Sequence, residues 1–294
     1  MQRLLFSHSV QYKIQPFTAG LLKWVGNKQR MAHVIAAHFP ASYGAFHEPF
    51  VGSAAVLGTL APKQAFASDA SKPLMEIWGT LSTKPGLLKE WYTERWNLFH
   101  DGERGDGYKA IRASYNRTPN GADLLFLCRS CYGGVVRFRK SDGHMSTPCG
   151  IHDPISPESF GRRVDEWKMR LRGTQFRRAD YEEAMEAAKP GDLIYCDPPY
   201  SDTQSILYGA QTFELPNLMR IIERCKTRGV KVALSIDGTK KSGDYHVPLS
   251  IPPGVFEREI YIDCGRSMLR RFQLNGKTLE KELVTDRLLL TYSA

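Results

Sequence analysis

The fold is decided by the stretch Asp192-Leu-Ile-Tyr-Cys-Asp-Pro-Pro-Tyr200, where an apolar run ends at an acidic residue followed by two prolines. Pro190-Gly191 before it and the prolines after it bound a strand over residues 192–196. In open α/β sheets, ligands bind outside the carboxyl ends of the strands. The tetrapeptide Asp197–Tyr200 is therefore expected to face a ligand site, with an ordinary Asp-Pro turn as the alternative.

The residue types of this tetrapeptide suit chemistry on a conjugated exocyclic amine such as adenine N6. The Asp197 carboxylate and the Pro198 carbonyl can accept its two hydrogens and favour the pyramidal form, which frees the nitrogen lone pair. Pro198 and Pro199 also restrict the backbone and lack N–H groups that would compete for the same acceptors. Tyr200 offers a flat face on which an extruded base can stack.

Strand-like and helix-like segments alternate on both sides of this stretch, which predicts a parallel sheet with helices on both faces. Strands are expected at 45–48, 65–68 and 230–236, and helices at 31–39, 53–60 (with Ser53 as N-cap), 165–171 and 215–228. Residues 72–157 show few strand signals and many turn formers, which indicates an insert of about 85 residues. The predicted fold class is α/β, a Rossmann-like sheet with a mostly helical insert that carries a hairpin.

Composition narrows the class of protein. The chain has 294 residues, of which 42% are hydrophobic and 11% aromatic, so it can build a full core and is not disordered throughout. Its net charge of +9 makes a polyanion a plausible partner. No apolar run reaches membrane-spanning length, and the N-terminal residues lack a signal-peptide pattern, so we expect a soluble, cytoplasmic protein. The six cysteines, including the lone Cys128–Cys131 pair, predict free thiols and no metal site.

Two further motifs lie near predicted strand ends or the first helix. Phe50-Val51-Gly52 follows a strand, and its glycine permits a close approach of the backbone to a ligand. Asp69 ends the next strand, where an acidic side chain can accept both hydroxyls of a ribose. Near the N-terminus, Lys23-Trp24-Val25-Gly26-Asn27-Lys28 could supply a stacking surface and a cation for a carboxylate.

The order of the motifs resembles that of the Dam-like (D12 class) adenine-N6 DNA methyltransferases. The four motifs are, from the N-terminus, KWVGNK, EPFVGS, SDAS and DPPY. The resemblance spans roughly residues 20–292 and includes a closing strand, DRLLLTY. It implies a catalytic tetrapeptide (Asp197, Pro198, Pro199, Tyr200), S-adenosyl-L-methionine as cofactor, and cofactor contacts from Trp24, Lys28, Phe50, Gly52, Asp69 and Asp197. No metal is implied, because the sulfonium is already an activated methyl donor.

The resemblance also implies a target-recognition domain at 73–158, between two parts of a catalytic domain at 1–72 and 159–294. In its hairpin, Tyr132 would wedge between base pairs, Arg137 would read a guanine and Pro148 would contact a base. Arg129, Arg139 and Lys140 would add basic contacts to double-stranded DNA. The family's usual Asn-Gly at this turn is Gly133-Gly134 here, and its FxGxG is FVGSA; these departures bear on the recognised sequence more than on the reaction.

Alternatives stay open at this point. The same sheet and tetrapeptide suit an RNA adenine-N6 or a cytosine-N4 methyltransferase. A catalytically silent DNA-binding protein would have no need of Trp24, Lys28, Asp69 and the tetrapeptide together. A nicotinamide oxidoreductase is disfavoured because the GxGxxG fingerprint is missing. No obligate protein partner is evident, and a restriction–modification, phage or housekeeping setting is equally compatible with the sequence.

Overall fold

The computed structural model describes residues 14–24, 26–139, 141–199, 213–240, 245–246, 251–266 and 283–293. A single sheet runs through the part with described strands, in the order β3-β2-β1-β4-β5-β8-β7, with β6 paired to β5. Its strands are β1 (Phe46–Glu48), β2 (Ala65–Asp69), β3 (Thr174–Arg178), β4 (Leu193–Cys196), β5 (Lys231–Lys240), β6 (Tyr245–His246), β7 (Arg258–Arg266) and β8 (Leu283–Leu290).

The direction of the strands sets where a ligand can bind. Strands β1 to β5 run parallel, whereas β8 lies antiparallel between β5 and β7. The chain builds outward from β1 through β2 to β3 and then returns to place β4 on the other side of β1. This reversal makes the carboxyl ends of β1 and β4 the topological switch point, where open α/β sheets bind ligands.

Both faces of the sheet are covered, as the alternation of strand-like and helix-like segments predicted. Successive residues of β4 point into different cores: Leu193 and Tyr195 into the larger one, Ile194 and Cys196 into the smaller. All four are fully buried, so β4 is the central strand that its apolar run suggested. Within the described residues, no helix is long and apolar enough to cross a membrane.

The helices confirm part of the sequence reading and extend it. They are α1 (Ala32–Ala36), α2 (Ala55–Leu60), α3 (Lys72–Thr83), α4 (Pro85–His100), α5 (Arg104–Arg117), α6 (Gly121–Ser130), α7 (Pro157–Arg170), α8 (Tyr181–Glu186) and α9 (Leu215–Thr227). The prediction that Ser53 caps α2 is wrong. The turn after β1 continues to Ala54, whose amide donates to the Val51 carbonyl at 2.6 Å, and the helix begins after it.

Helices α3 to α7 occupy the chain between β2 and β3. Helix α3 packs on both of these strands and on α6. The start of the predicted insert is therefore also part of the helical layer that covers the sheet. Trp78 of α3 contacts Trp167 of α7 and stacks on Phe176 of β3, which ties the region back to the sheet.

Between α6 and α7, residues 131–149 double back on themselves. Cys131 pairs antiparallel with Cys149, and Phe138 pairs with Met145. The amide of Arg139 donates to the His144 carbonyl, and that of Ser146 donates to the Arg137 carbonyl, each at 2.9 Å. We refer to residues 131–149 as the antiparallel segment.

Candidate active site

Loops from three neighbouring parallel strands meet at the switch point. Asp197 follows β4, the Pro49–Ser53 loop follows β1, and Asp69 is the last residue of β2. Because the carboxyl ends of parallel strands lie along the same edge, the three motifs that are distant in sequence come together in space.

An ion cluster joins the N-terminal motif to the tetrapeptide. The Lys28 Nζ donates to Asp197 Oδ1 at 2.8 Å and lies 3.5 Å from Asp286 Oδ2 on β8. It also donates to the Gly26 carbonyl at 3.3 Å. The side chain of Lys28 is only 5% exposed and that of Asp197 is 20% exposed. Lys28 therefore holds the carboxylate of the tetrapeptide in place, and its predicted contact with a cofactor stays a prediction.

Glu48, the last residue of β1, adds a third carboxyl group beside this cluster. It is fully buried, and its Oε2 accepts the Leu57 amide at 3.1 Å. Burial, and then the nearby charge of Asp197, raise the pKa of Glu48 well above its usual value of 4.5. Acidic groups outnumber Lys28 here, so this cluster favours a positively charged ligand group.

The loop after β1 is built around Asp69. The Gly52 amide donates to Asp69 Oδ2 at 3.2 Å, and the Ser71 amide donates to Oδ1 at 3.0 Å. Gly52 has a φ of +45°, and a Cβ there would lie 3.5 Å from Trp24 Nε1. Burial raises the pKa of Asp69 despite these amide donors. Gly52 thus lies against both Trp24 and Asp69, and all three are predicted cofactor residues.

An aromatic cluster flanks the same loop. Phe50 stacks on Tyr181 with ring centres 5.2 Å apart and meets Phe213 edge-on at 5.9 Å. Tyr181 begins α8, directly after β3, and its hydroxyl accepts a hydrogen bond from Asn217 at 2.9 Å. Sequence reasoning missed Tyr181, Phe213, Glu48 and Asp286. An Asp-Tyr pair after TQFRR and an acidic residue at the start of DRLLLTY were the available signals.

The arrangement supplies what a nucleoside with a cationic tail requires. Aromatic faces can hold a flat ring, Asp69 can accept hydroxyl groups, and the carboxylates around Lys28 favour a positive group. The described residues hold no group of three His, Cys, Asp or Glu side chains suited to a metal ion.

Arg129 was expected at a DNA surface, and that expectation is wrong. All ten residues of α6 are buried, and Arg129 is 5% exposed. Its Nη1 donates to the carbonyls of Leu21 at 2.8 Å and Gly20 at 3.3 Å. Arg163 of α7 donates to the same Gly20 carbonyl at 2.8 Å. These arginines fasten the N-terminal segment just before the Lys23–Lys28 motif.

The remaining predicted DNA residues lie on the antiparallel segment. Tyr132, Arg139 and Pro148 are exposed and Arg137 is half-buried. Lys140, and Tyr200 of the tetrapeptide, lie outside the described residues. The structure brings the exposed residues together on one segment and leaves their roles as predictions.

Similarity to known proteins shows the family of this chain. Residues 24–251 match the model of the D12 class N6 adenine-specific DNA methyltransferases, which is most of the chain. The chain belongs to this family. The D12 match includes Lys28, Glu48, Asp69 and Asp197, whereas Asp286 lies beyond its end.

Several curated proteins resemble this D12 chain. It is 26% identical to the DNA N-6-adenine-methyltransferase of Escherichia phage P1 over 88% of the chain and 33% of that protein. It is 30% identical to the Retron Ec67 DNA adenine methylase of Escherichia coli, over 63% of the chain and 65% of that protein. The chain therefore spans a third of the first relative and less than two thirds of the second. The type II methyltransferase M1.LlaDCHI of Lactococcus lactis subsp. cremoris is 25% identical over 95% of the chain and 96% of its own length.

Proposed function

We propose that this chain transfers a methyl group from S-adenosyl-L-methionine to N6 of adenine in double-stranded DNA. The observation that carries the proposal is the position of Asp197. It is followed by Pro198 and Pro199, lies at the switch point of the sheet, and is held by Lys28 in a chain of the D12 family.

The chemistry follows from the groups at this point. When bound, the sulfonium donor supplies an activated methyl group, so the chain has to make the amine of adenine a better nucleophile. Asp197 and the Pro198 carbonyl accept the two N6 hydrogens and favour a lone pair on nitrogen. As N6 takes up the methyl group, positive charge would develop on the nitrogen, and Asp197 would stabilise it and accept the excess proton, which then passes to solvent. The donor would leave as a neutral thioether, because sulfur keeps the electrons of the bond to the transferred methyl group.

Lys28 acts on this step through Asp197. Its ammonium is 2.8 Å from one carboxylate oxygen and is buried, so it fixes the orientation of the carboxylate before adenine arrives. Such preorganisation lowers the barrier because no reorientation is needed during the reaction.

The cofactor is assigned to the residues that flank Asp69. Trp24 and Gly52 lie against each other next to Asp69, which would accept the ribose hydroxyls. Phe50 with Tyr181 would hold the adenine ring of the cofactor. The acidic groups near Lys28 suit the positive charges of its methionine part.

We assign DNA recognition to the 73–158 region, with 1–72 and 159–294 forming the catalytic domain. The exposed positions of Tyr132 and Pro148 on the antiparallel segment support this assignment, as does the net charge of +9. Tyr132 would wedge between base pairs as the target adenine leaves the stack, and Arg137 would read a guanine.

The test is to express the chain in cells that lack adenine methylation and to map N6-methyladenine across their DNA. Methylation at one short recurring sequence is expected. Methylated adenine in RNA but not in DNA would identify an RNA adenine-N6 methyltransferase. N4-methylcytosine in DNA would identify a cytosine-N4 methyltransferase. Unmodified nucleic acid despite folded protein that binds DNA would identify a silent DNA-binding protein.

A further inference from the structure

We propose that Arg139, oriented by Asp142, reads a G·C base pair two base-pair steps from the pair that Arg137 faces. This inference rests on the proposed function, because it requires duplex DNA to lie along the antiparallel segment. It concerns which sequence is recognised, which neither the family nor the relatives determine.

The pairing of the antiparallel segment divides its side chains between two faces. Phe138 and Met145 are partners and point to the protein, where Met145 is 2% exposed and Phe138 lies 6.2 Å from the ring of Tyr115. The neighbouring positions 137, 139, 144 and 146 therefore share the other face, since side chains alternate along paired strands. Arg139 and His144 are directly opposite on this outer face.

Helix α5 fixes this segment from behind. Asn116 binds both backbone groups of Met145, accepting from its amide at 2.7 Å and donating to its carbonyl at 3.1 Å. The Thr147 carbonyl accepts from the Tyr108 hydroxyl at 2.8 Å and from Arg112 at 3.0 Å. The outer face is consequently preorganised, which reduces the entropy lost on binding.

The guanidinium of Arg139 is held side-on by a carboxylate. Its Nε lies 3.0 Å from Asp142 Oδ1 and its Nη2 lies 2.5 Å from Oδ2. Asp142 is itself fixed, because Oδ1 also accepts the His144 amide at 3.0 Å. With Nε occupied, the outer edge that can read a base is the one formed by the two terminal nitrogens.

His144 shows which acceptor suits that edge. Its Nδ1 lies 3.1 Å from Arg139 Nη2 and 3.5 Å from Asp142 Oδ2, and because a guanidinium only donates, Nδ1 is the acceptor of the arginine in the neutral tautomer that carries its proton on Nε2. An imidazole nitrogen is chemically like N7 of guanine, an aromatic nitrogen with an in-plane lone pair. Guanine would therefore replace the imidazole and add O6 as a second acceptor.

Asp142 favours a base over a phosphate. A carboxylate beside the arginine repels a phosphate, whereas it attracts the N4 amino group of cytosine. The arginine and the carboxylate together thus match the donors and acceptors of a G·C pair. In extended backbone, positions 137 and 139 are about 6.8 Å apart, which equals two base-pair rises of about 3.4 Å each when the segment runs along the axis of the duplex.

The experiment selects bound duplexes from a random library and sequences them, for the full chain and for Arg137→Ala, Arg139→Ala, Asp142→Asn and Arg177→Ala. Arg177 of β3 is a matched control. It is also an exposed arginine that is paired with a carboxylate, since its Nη1 lies 2.9 Å from Oε1 of Glu183. At one G·C position, Arg139→Ala should reduce the preference roughly 5- to 150-fold, the range of a bidentate base contact. Asp142→Asn should weaken the preference at the same position, and Arg177→Ala should change none.

Three results would overturn the inference. If Arg139→Ala weakens all duplexes equally and flattens the salt dependence, Arg139 contacts phosphate. If Asp142→Asn leaves the preference intact, Asp142 does not orient the reading arginine. If the affected position is not two steps from the one altered by Arg137→Ala, the register is wrong. Failure of the proposed function is read separately, because the unsubstituted chain would then leave no N6-methyladenine in DNA, whereas the three results above concern a chain that does.

Discussion

Replacing Lys28 by Met should destabilise the protein far more than the same replacement of an exposed lysine whose ion pair is equally short. The substitution keeps the length of the side chain and removes the cation between Asp197 and Asp286. The two carboxylates then lie close together with the charge of Lys28 removed, and Asp197 also lies close to Glu48.

The distances set the magnitude. At an effective dielectric constant of about 20, the attraction is roughly 6 kcal/mol for the Asp197 pair at 2.8 Å and roughly 5 kcal/mol for the Asp286 pair at 3.5 Å. Desolvation of the ions offsets much of this gain, and breaking a buried pair on one side costs about 3–5 kcal/mol. Because Asp197 is 20% exposed, we expect the lower end, about 3 kcal/mol of unfolding free energy at neutral pH.

The assay is denaturant unfolding, with Lys89→Met as control. Lys89 lies 2.7 Å from Asp165 Oδ1, but the two side chains are 37% and 64% exposed, so this loss should cost no more than about 1 kcal/mol. A second variant, Lys28→Met with Asp286→Asn, should recover part of the loss because one repelling charge is gone. Equal effects of Lys28→Met and Lys89→Met would refute the reasoning.

Three other outcomes are expected. Glu48→Gln should raise the unfolding free energy at neutral pH, because the raised pKa of Glu48 means that its ionised form destabilises the fold. Unfolding measured at a series of pH values should show this gain vanish as the pH falls below 4.5. Asp69→Ala should weaken S-adenosyl-L-methionine binding about 10- to 100-fold in calorimetry while leaving DNA affinity nearly unchanged, and the reverse pattern would contradict the cofactor assignment. Arg129→Met should cost about 1.5–3 kcal/mol of unfolding free energy, because the Leu21 carbonyl loses its charged donor while Arg163 still donates to Gly20; the exposed Arg162→Met should cost about 1 kcal/mol or less.

The central strands could be predicted because their residues form apolar runs that end at clear turn signals. β4, between Pro190-Gly191 and the two prolines, is the best example. The edge strands β3 and β7 were missed because an edge carries polar side chains: in β3, Gln175, Arg177 and Arg178 are exposed, and the run resembles a loop.

The site was predictable where a residue ends a strand or directly follows one. Asp69 and Asp197 are such residues, since strand direction alone places them at one edge. Asp286 and Tyr181 were not predictable in the same way, because their proximity to Lys28 and Phe50 depends on how distant segments pack. Arg129 was misplaced since a helix that is buried on every side has no exposed face for an arginine, and the sequence does not show that α6 is such a helix.

The most direct test of the proposed reaction measures methyl transfer from labelled S-adenosyl-L-methionine to duplex DNA, with the product base identified by mass spectrometry. The intact chain should yield N6-methyladenine, whereas Asp197→Ala should retain DNA binding and lose nearly all transfer. Transfer by Asp197→Ala at a rate close to that of the intact chain, or a label on any base other than adenine, would contradict the account.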